Sequence, residues 1–316
     1  MKKILVARPA PEEVHKALSG FDCTFRDSNA PLSADELRAA LDGYDGILPT
    51  LGDAFSAKVF ADVPNPRCDI LANFGVGYNH IDVAAAQAAG IQVSNTPDVL
   101  TDATADLAVT LILMAARRAG EGERLVRAGG WDGWHPTQML GTHVTGKRIG
   151  IVGMGRIGQA VARRAHFGFD MKVIYFNRSR KDVDFPARQV DDLHALMSQA
   201  DVVVVTVPGG NTHLIDASAL AQLDDGAIFV NVARGDVVDE AALIAELQSG
   251  RISAGLDVYE GEPVVPDALK ALENVVLLPH LGSAALEIRE AMGQMALDNI
   301  IAWDEGRPLP QALWSV

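Results

Sequence analysis

The chain is poor in cysteine: Cys23 and Cys68 are the only two in 316 residues. They have neither metal-ligand spacing nor the makings of a disulfide framework, so two reduced thiols are expected. Positive charge is also short. Lys and Arg number 27 against 41 Asp and Glu, a formal net charge of -14, which disfavours nucleic acid and anionic membranes as partners. No apolar run approaches the ~18 residues that a membrane span needs. The opening Met1-Lys2-Lys3-Ile4-Leu5-Val6 starts positive and apolar like a signal peptide. Arg8 and Pro9 interrupt it within a few residues, so it reads as a first strand. Low-complexity stretches, short-period repeats, metal-ligand clusters and nucleophile-plus-base arrangements are missing too. These absences point to a soluble cytoplasmic protein. Nearly half of the residues are apolar, enough for about two domains at roughly 100–200 residues each.

The most informative stretch is Arg148-Ile149-Gly150-Ile151-Val152-Gly153-Met154-Gly155-Arg156-Ile157-Gly158. It reads as a buried strand, a glycine turn and a helix start, with Gly153, Gly155 and Gly158 in G-x-G-x-x-G spacing. The first glycine permits a tight turn, the second lets backbone approach a pyrophosphate, and the third lets helix pack on strand. The helix N-terminus offers free N–H groups and a positive dipole end. A plausible amphipathic helix, Gln159 to Phe167, and a second apolar run, Lys172 to Phe176, complete a βαβ unit.

Residues 1–97 alternate strand-like runs (Ile4–Ala7, Gly46–Pro49, Asp69–Asn73, Ile91–Ser94) with helical pieces. One of these pieces opens on the capping box Ser33-Ala34-Asp35-Glu36. This predicts a small parallel α/β unit. Thr101 to Arg118 reads as a helix apolar over most of its circumference, buried between domains or subunits. Residues 121–146 read as a helix followed by a loop that wraps a neighbour, and His135 and His143 within them as incidental. Six strands are then expected at Arg148–Val152, Lys172–Phe176, Asp201–Val207, Ala227–Val232, Ala254–Val258 and Val275–Leu278. Near-continuous Val/Ile runs fit strands covered on both faces. A last helix, Ala284 to Trp303, is followed by too little chain for a domain, so it returns to the first unit. The expected fold is therefore α/β, with two Rossmann-like parallel-sheet domains. A dinucleotide-binding domain at 98–286 is inserted in a flavodoxin-like substrate domain made of 1–97 and 287–316.

Open α/β sheets bind ligands beyond the carboxyl ends of their strands. There the sequence places Pro208 to Thr212, Arg234, Asp257, Glu260, Glu262 and His280. The set has a chemical logic. A carbonyl that accepts hydride needs a proton, which a histidine gives near neutral pH. A neighbouring carboxylate favours the imidazolium. An arginine binds a substrate carboxylate bidentately and polarises the adjacent carbonyl.

These residues carry a resemblance. Asn73-Phe74-Gly75-Val76-Gly77-Tyr78-Asn79-His80-Ile81-Asp82, Asn95-Thr96-Pro97, Thr101 to Asp106, Gly153 to Gly158, Asn231 to Gly235, Val238 to Glu240, Ala254 to Val258, Glu262-Pro263 and Pro279-His280 occur in one order. Over nearly its whole length the chain resembles the D-isomer-specific 2-hydroxyacid dehydrogenases, in the glyoxylate/hydroxypyruvate reductase branch. The resemblance implies that Arg234 binds substrate, Glu262 pairs with the catalytic histidine and His280 donates the proton. Glu260 competes with Glu262, but the carboxylate directly before proline matches the family pattern. It implies that backbone at Val76 and Gly77 takes the substrate carboxylate alongside Arg234 and His280. Cofactor contacts are implied at Thr104, Gly153, Gly155, Arg156, Ile157, Gly158, Asn177, Arg178, Ser179, Val207, Pro208, Thr212, Val232, Ala233, Asp257 and Gly282, with Asp257 on the nicotinamide carboxamide. No metal is implied. A homodimer is, with Thr101 to Gly146 at its interface. Substrate choice rests on side chains near Leu51, Tyr78, Trp134 and Met139.

One departure is informative. NAD-selective members place an acidic residue after the second strand, where this chain has Asn177-Arg178-Ser179-Arg180-Lys181. An aspartate would repel a 2′-phosphate; these residues supply charge and donors. NADP(H) is therefore the expected cofactor, with NAD(H) as the alternative. The expected activity is NADPH-preferring reduction of glyoxylate, hydroxypyruvate or a related small 2-oxo acid to the D-2-hydroxy acid. The competing readings are an NAD-dependent or phosphite-type dehydrogenase and a non-catalytic, nucleotide-sensing corepressor.

Overall fold

The computed structural model describes residues 1–313. The chain divides into two compact units. The smaller combines residues 1–100 with the chain from Ser283 onward, and the larger is Thr101–Gly282. The divisions thus fall three or four residues from the 97/98 and 286/287 boundaries read from the sequence.

The smaller unit begins β1 Lys3–Val6, α1 Glu12–Ala17, β2 Asp22–Phe25, α2 Ala34–Gly43, β3 Gly46–Leu48, α3 Ala57–Ala61, β4 Ile70–Ala72, α4 Val83–Ala88 and β5 Gln92–Ser94. Its five strands are parallel in the order β2-β1-β3-β4-β5, the flavodoxin-like order. The short buried runs of β1, β3 and β4 form the middle of the sheet. The capping box of α2 is complete: Glu36 N–H donates to Ser33 Oγ at 3.3 Å and Ser33 N–H to Glu36 Oε2 at 2.8 Å. β2 has no counterpart in the sequence reading. Its alternately exposed Asp-Cys-Thr-Phe offers no apolar run, because an edge strand is covered on one side only. Cys68 is fully buried beside β4, and burial pushes its thiol up to about 12.

The larger unit contains α5 Thr101–Ala116, α6 Ala119–Arg127, β6 Arg148–Val152, α7 Arg156–Phe169, β7 Lys172–Phe176, β8 Ala187–Gln189, α8 Leu193–Met197, β9 Val202–Val205, α9 Ala217–Leu220, β10 Ile228–Asn231, a 3-10 turn Gly235–Val237, α10 Glu240–Gln248, β11 Ser253–Leu256, α11 Asp267–Lys270 and β12 Val275–Leu277. Seven parallel strands run β12-β11-β10-β9-β6-β7-β8. The seventh, β8, is again a half-exposed edge strand with no apolar signature. Apolar clusters cover both faces of this sheet, which is why β9 is four consecutive buried valines. α5 lies against α7, β10 and β11 of its own unit. Strand order reverses between β6 and β9, so the crevice beyond their carboxyl ends is the topological switch point.

The final helix, α12 Leu286–Asp304, belongs to the smaller unit. Its Ala296, Leu297 and Ile300 join Ile4, Val6, Leu48 and Ile70 in one buried cluster. No described helix is long and apolar enough to cross a membrane.

Candidate active site

The glycine turn sits at the switch point of the larger sheet. Gly153 follows β6 with φ +98, and a Cβ there would lie 2.7 Å from Val207 Cγ1. A Cβ on Gly158 would lie 2.2 Å from the Gly153 carbonyl oxygen, so α7 could not seat on the turn. Around Gly155, by contrast, a Cβ would meet no protein atom within 4 Å. Two glycines thus serve packing and the third keeps a surface open. Gly155 is also the N-cap of α7, and no side chain caps that end. An open cradle at an uncapped N-terminus of a helix this long fits a dinucleotide pyrophosphate. Arg156 is exposed and Ile157 half-buried on the first turn.

The segment after β7 is braced rather than free. Asn177 Oδ1 accepts from Met154 N–H in the glycine turn at 3.2 Å, and its Nδ2 donates to the Ser179 carbonyl at 2.7 Å. Gln189 Nε2 of β8 donates to the Asn177 carbonyl at 2.9 Å. Asn177 therefore ties the loop to the turn. The charge that faces solvent sits on Arg178 and Arg180, with Ser179 between them.

His280 Nδ1 stands 2.8 Å from Glu262 Oε2. The carboxylate requires that Nδ1 carries the proton in the neutral ring, which leaves Nε2 as the outward nitrogen. Glu262 Oε1 accepts from the Tyr259 N–H at 3.0 Å. Burial pushes the Glu262 carboxyl up. The hydrogen bond and charge of His280, the Tyr259 N–H and Arg234 outweigh it and hold the group below its ordinary range. The neighbouring Glu260 pairs instead with His213, at 3.1 Å. The chain from Tyr259 to Glu262 lies on the 3-10 turn because Gly235 has no side chain: a Cβ there would fall 2.0 Å from the Tyr259 carbonyl.

Arg234 follows β10 in extended conformation. Asn231, almost fully buried, shapes this corner. Its Nδ2 donates to the Arg234 carbonyl at 3.0 Å and its Oδ1 accepts from the Ala233 N–H at 3.0 Å. Val232 and Ala233 are buried in the same corner. Burial lowers the Arg234 pKa, against the attraction of Glu262 and Asp236, but a guanidinium stays charged.

Asp257 is buried. Its oxygens accept from Leu281 N–H at 2.6 Å and Gly282 N–H at 2.8 Å, and its carbonyl accepts from His280 N–H at 2.9 Å. Burial raises its pKa, partly offset by the Leu281 N–H and by His280. Asp257 thus builds the turn that presents His280, a role that its position alone did not reveal. Thr104 Oγ1 donates to the Gly282 carbonyl at 3.1 Å, tying α5 to that turn. Val207 is half-buried, and Pro208 and Thr212 are exposed beyond β9.

All of these groups lie at the carboxyl edge of the larger unit's sheet. Val76 and Gly77 belong to the smaller unit, on the loop that follows β4, where both are half-buried. Leu51 and Tyr78 of that unit are exposed, as is Trp134 of the other.

Comparison with known proteins gives the family. The sequence model described as "D-isomer specific 2-hydroxyacid dehydrogenase, NAD binding domain" matches residues 109–282. The chain is 41% identical to the glyoxylate reductase of Pyrococcus horikoshii, over 98% of this chain and 94% of that protein. It is 37% identical to the glycerate dehydrogenase of Hyphomicrobium methylovorum, over 99% of each. The solved structure of an NADPH-dependent glyoxylate/hydroxypyruvate reductase from Sinorhizobium meliloti, in complex with NADP and malonate, superposes with a TM-score of 0.87 at 34% identity. That alignment covers 99% of this chain and 96% of the other. With a glycine cradle, a paired histidine and a half-buried arginine at one sheet edge, the chain belongs to the D-isomer-specific 2-hydroxyacid dehydrogenase family of NAD(P)-dependent oxidoreductases.

Proposed function

We propose that this enzyme reduces glyoxylate, hydroxypyruvate or a closely related small 2-oxo acid to the D-2-hydroxy acid, preferring NADPH, with His280 as proton donor. The observation that carries the reading is the His280–Glu262 pair, at the same sheet edge as Arg234 and the glycine turn. When bound, the nicotinamide supplies a hydride to the carbonyl carbon. The protein's share is then positional and electrostatic. Arg234 binds the substrate, and its guanidinium stabilises negative charge gathering on the carbonyl oxygen. His280 delivers its Nε2 proton to that oxygen, and Glu262 holds the ring by its Nδ1 so that Nε2 faces outward. Gly155 and the first turn of α7 would hold the pyrophosphate. The 2′-phosphate is held by Arg178, Ser179 and Arg180, with Asn177 fixing their loop. On this reading Thr101–Gly282 is the dinucleotide-binding domain and the smaller unit the substrate domain.

NADPH and NADH oxidation measured with glyoxylate, hydroxypyruvate and pyruvate tests the proposal. A clear NADH preference refutes the cofactor assignment, and nucleotide binding without turnover favours the corepressor reading. His280→Ala is expected to lose about 10²–10⁴-fold in kcat while binding NADPH as before. Wild-type turnover in that variant refutes the proton donor.

We propose further that the enzyme is a homodimer. What supports this is α6, none of whose residues is buried in the chain, followed by exposed Trp131, Trp134 and Leu140. Light scattering should give twice the chain mass of 33.6 kDa; a monomeric mass refutes it.

A further inference from the structure

The loop after β4 carries three consecutive carbonyls, and all three are engaged inside the smaller unit. The Gly75 carbonyl accepts from Asn73 Nδ2 at 2.9 Å and from the Thr96 N–H at 3.1 Å. The Val76 carbonyl accepts from Asn95 Nδ2 at 2.8 Å. The Gly77 carbonyl accepts from Asn73 Nδ2 at 3.1 Å. A peptide unit is planar and trans, so its C=O and N–H point in opposite directions. Drawing the three carbonyls inward turns the N–H groups of Val76, Gly77 and Tyr78 outward. Among the described residues, none of the three donates to another protein atom, although each residue is at least partly accessible. Successive N–H groups turned to one side form an anion-binding concavity.

The two asparagines that impose this arrangement are themselves nearly inaccessible, at 1% for Asn73 and 7% for Asn95. Asn73 is oriented in turn. Its Nδ2 faces two carbonyls, so its oxygen is the atom 3.0 Å from His80 Nε2. That nitrogen must then carry the ring proton, which sets the His80 tautomer. The Asn73 N–H donates to the Ser94 carbonyl across the β4–β5 edge, so the clamp is built on the sheet.

We infer that Asn73 and Asn95, with His80 behind Asn73, are positioning residues for substrate-carboxylate binding. They hold the peptide units of Gly75, Val76 and Gly77 so that three N–H groups, Tyr78's included, present to one carboxylate. The inference rests on the proposed reductase function for the carboxylate's identity. The clamp geometry does not depend on it.

The test uses the full-length enzyme and two near-isosteric, uncharged variants, Asn73→Leu and Asn95→Leu, which remove the amide donors without adding charge. Oxamate binding in the presence of NADPH is measured by calorimetry, alongside steady-state kinetics with glyoxylate and a melting scan. Asn95→Leu, which loses one such bond, is expected to weaken oxamate and raise the glyoxylate KM by about tenfold, and Asn73→Leu, which loses two, by at least as much, while kcat and the NADPH KM stay within about threefold. Unchanged oxamate affinity in a folded variant overturns the inference, as does a wild-type enzyme that binds no oxamate. Loss confined to kcat also overturns it. If Asn73→Leu does not fold, Asn95→Leu decides the matter alone. Weakened oxamate binding in a protein that turns over no glyoxylate supports the clamp and refutes the reductase reading, so the two failures are distinguishable.

Discussion

Two glycines of the turn, Gly158 and Gly155, should separate stability from cofactor binding. In Gly158→Ala the new methyl carbon falls 2.2 Å from the Gly153 carbonyl oxygen, 2.9 Å from Thr206 Oγ1 and 3.0 Å from Ile151 Cγ2. Ordinary contact begins near 3.4 Å, so helix and turn must part by about an ångström. Overpacking of this kind costs about 1–3 kcal/mol. At roughly 2–4 °C per kcal/mol for a domain of this size, the melting temperature should fall by about 2–12 °C. Gly155→Ala is the contrast. Its methyl meets nothing in the protein, and its φ of -76 suits alanine. Stability should change by no more than about 1 kcal/mol, the scale of an altered N-cap. The methyl occupies the space proposed for the pyrophosphate, so NADPH affinity should fall by about tenfold or more, a loss of about 1.4 kcal/mol. Calorimetric melting of the free protein and fluorescence titration with NADPH measure the two quantities separately. If Gly155→Ala binds NADPH like the wild type, the open face is not a pyrophosphate site. If Gly158→Ala melts like the wild type, the packing argument is wrong.

Two other outcomes follow from the same edge. Replacing Arg178 and Arg180 together by alanine should lower kcat/KM with NADPH by about tenfold or more and leave kcat/KM with NADH within about threefold; equal losses with both cofactors would refute a 2′-phosphate role. The Glu262 carboxyl is held below its ordinary range by His280, so its stabilising contribution is complete above the unfolded value of about 4.3 and disappears as pH falls through the lower folded value. Glu262→Gln should therefore melt below the wild type at pH 6, and the gap should narrow as pH falls below the unfolded value; a gap that widens in acid contradicts the pairing.

Much of this was legible in the sequence because burial leaves a one-dimensional trace. β6 and β7 have the limits that their apolar patterns indicate, and Ser33 and Glu36 form the capping box that their spacing announces. The edge strands β2 and β8 escaped because half-exposed strands carry no such trace. At the site, residue type and position suggested a carboxylate for His280 but left Glu260 and Glu262 in competition; the packing of the 259–262 segment on Gly235 gives one to His213 and the other to His280. Asn177 illustrates another limit. Its missing negative charge was readable, whereas the inward use of its amide depends on the Met154 N–H, more than twenty residues away. The Asn73–Asn95 clamp was present only as motif letters, since nothing linear says that two buried amides share three carbonyls between them.

The discontinuous smaller unit has a consequence for biosynthesis. One side of its sheet is closed by Ala296, Leu297 and Ile300 of α12 over Ile4, Val6 and Ile70. A ribosome makes the first strands long before it makes that helix. While Thr101–Gly282, all of whose strands are contiguous in the chain, emerges and can condense, one apolar face of the N-terminal sheet has only α1, with Val14 beside Leu18, for cover. These contacts span nearly the whole sequence, and loop closure over such separations is slow. The smaller unit is thus the first begun and the last completed. During that interval its thinly covered face is the part of the nascent protein most in need of a chaperone.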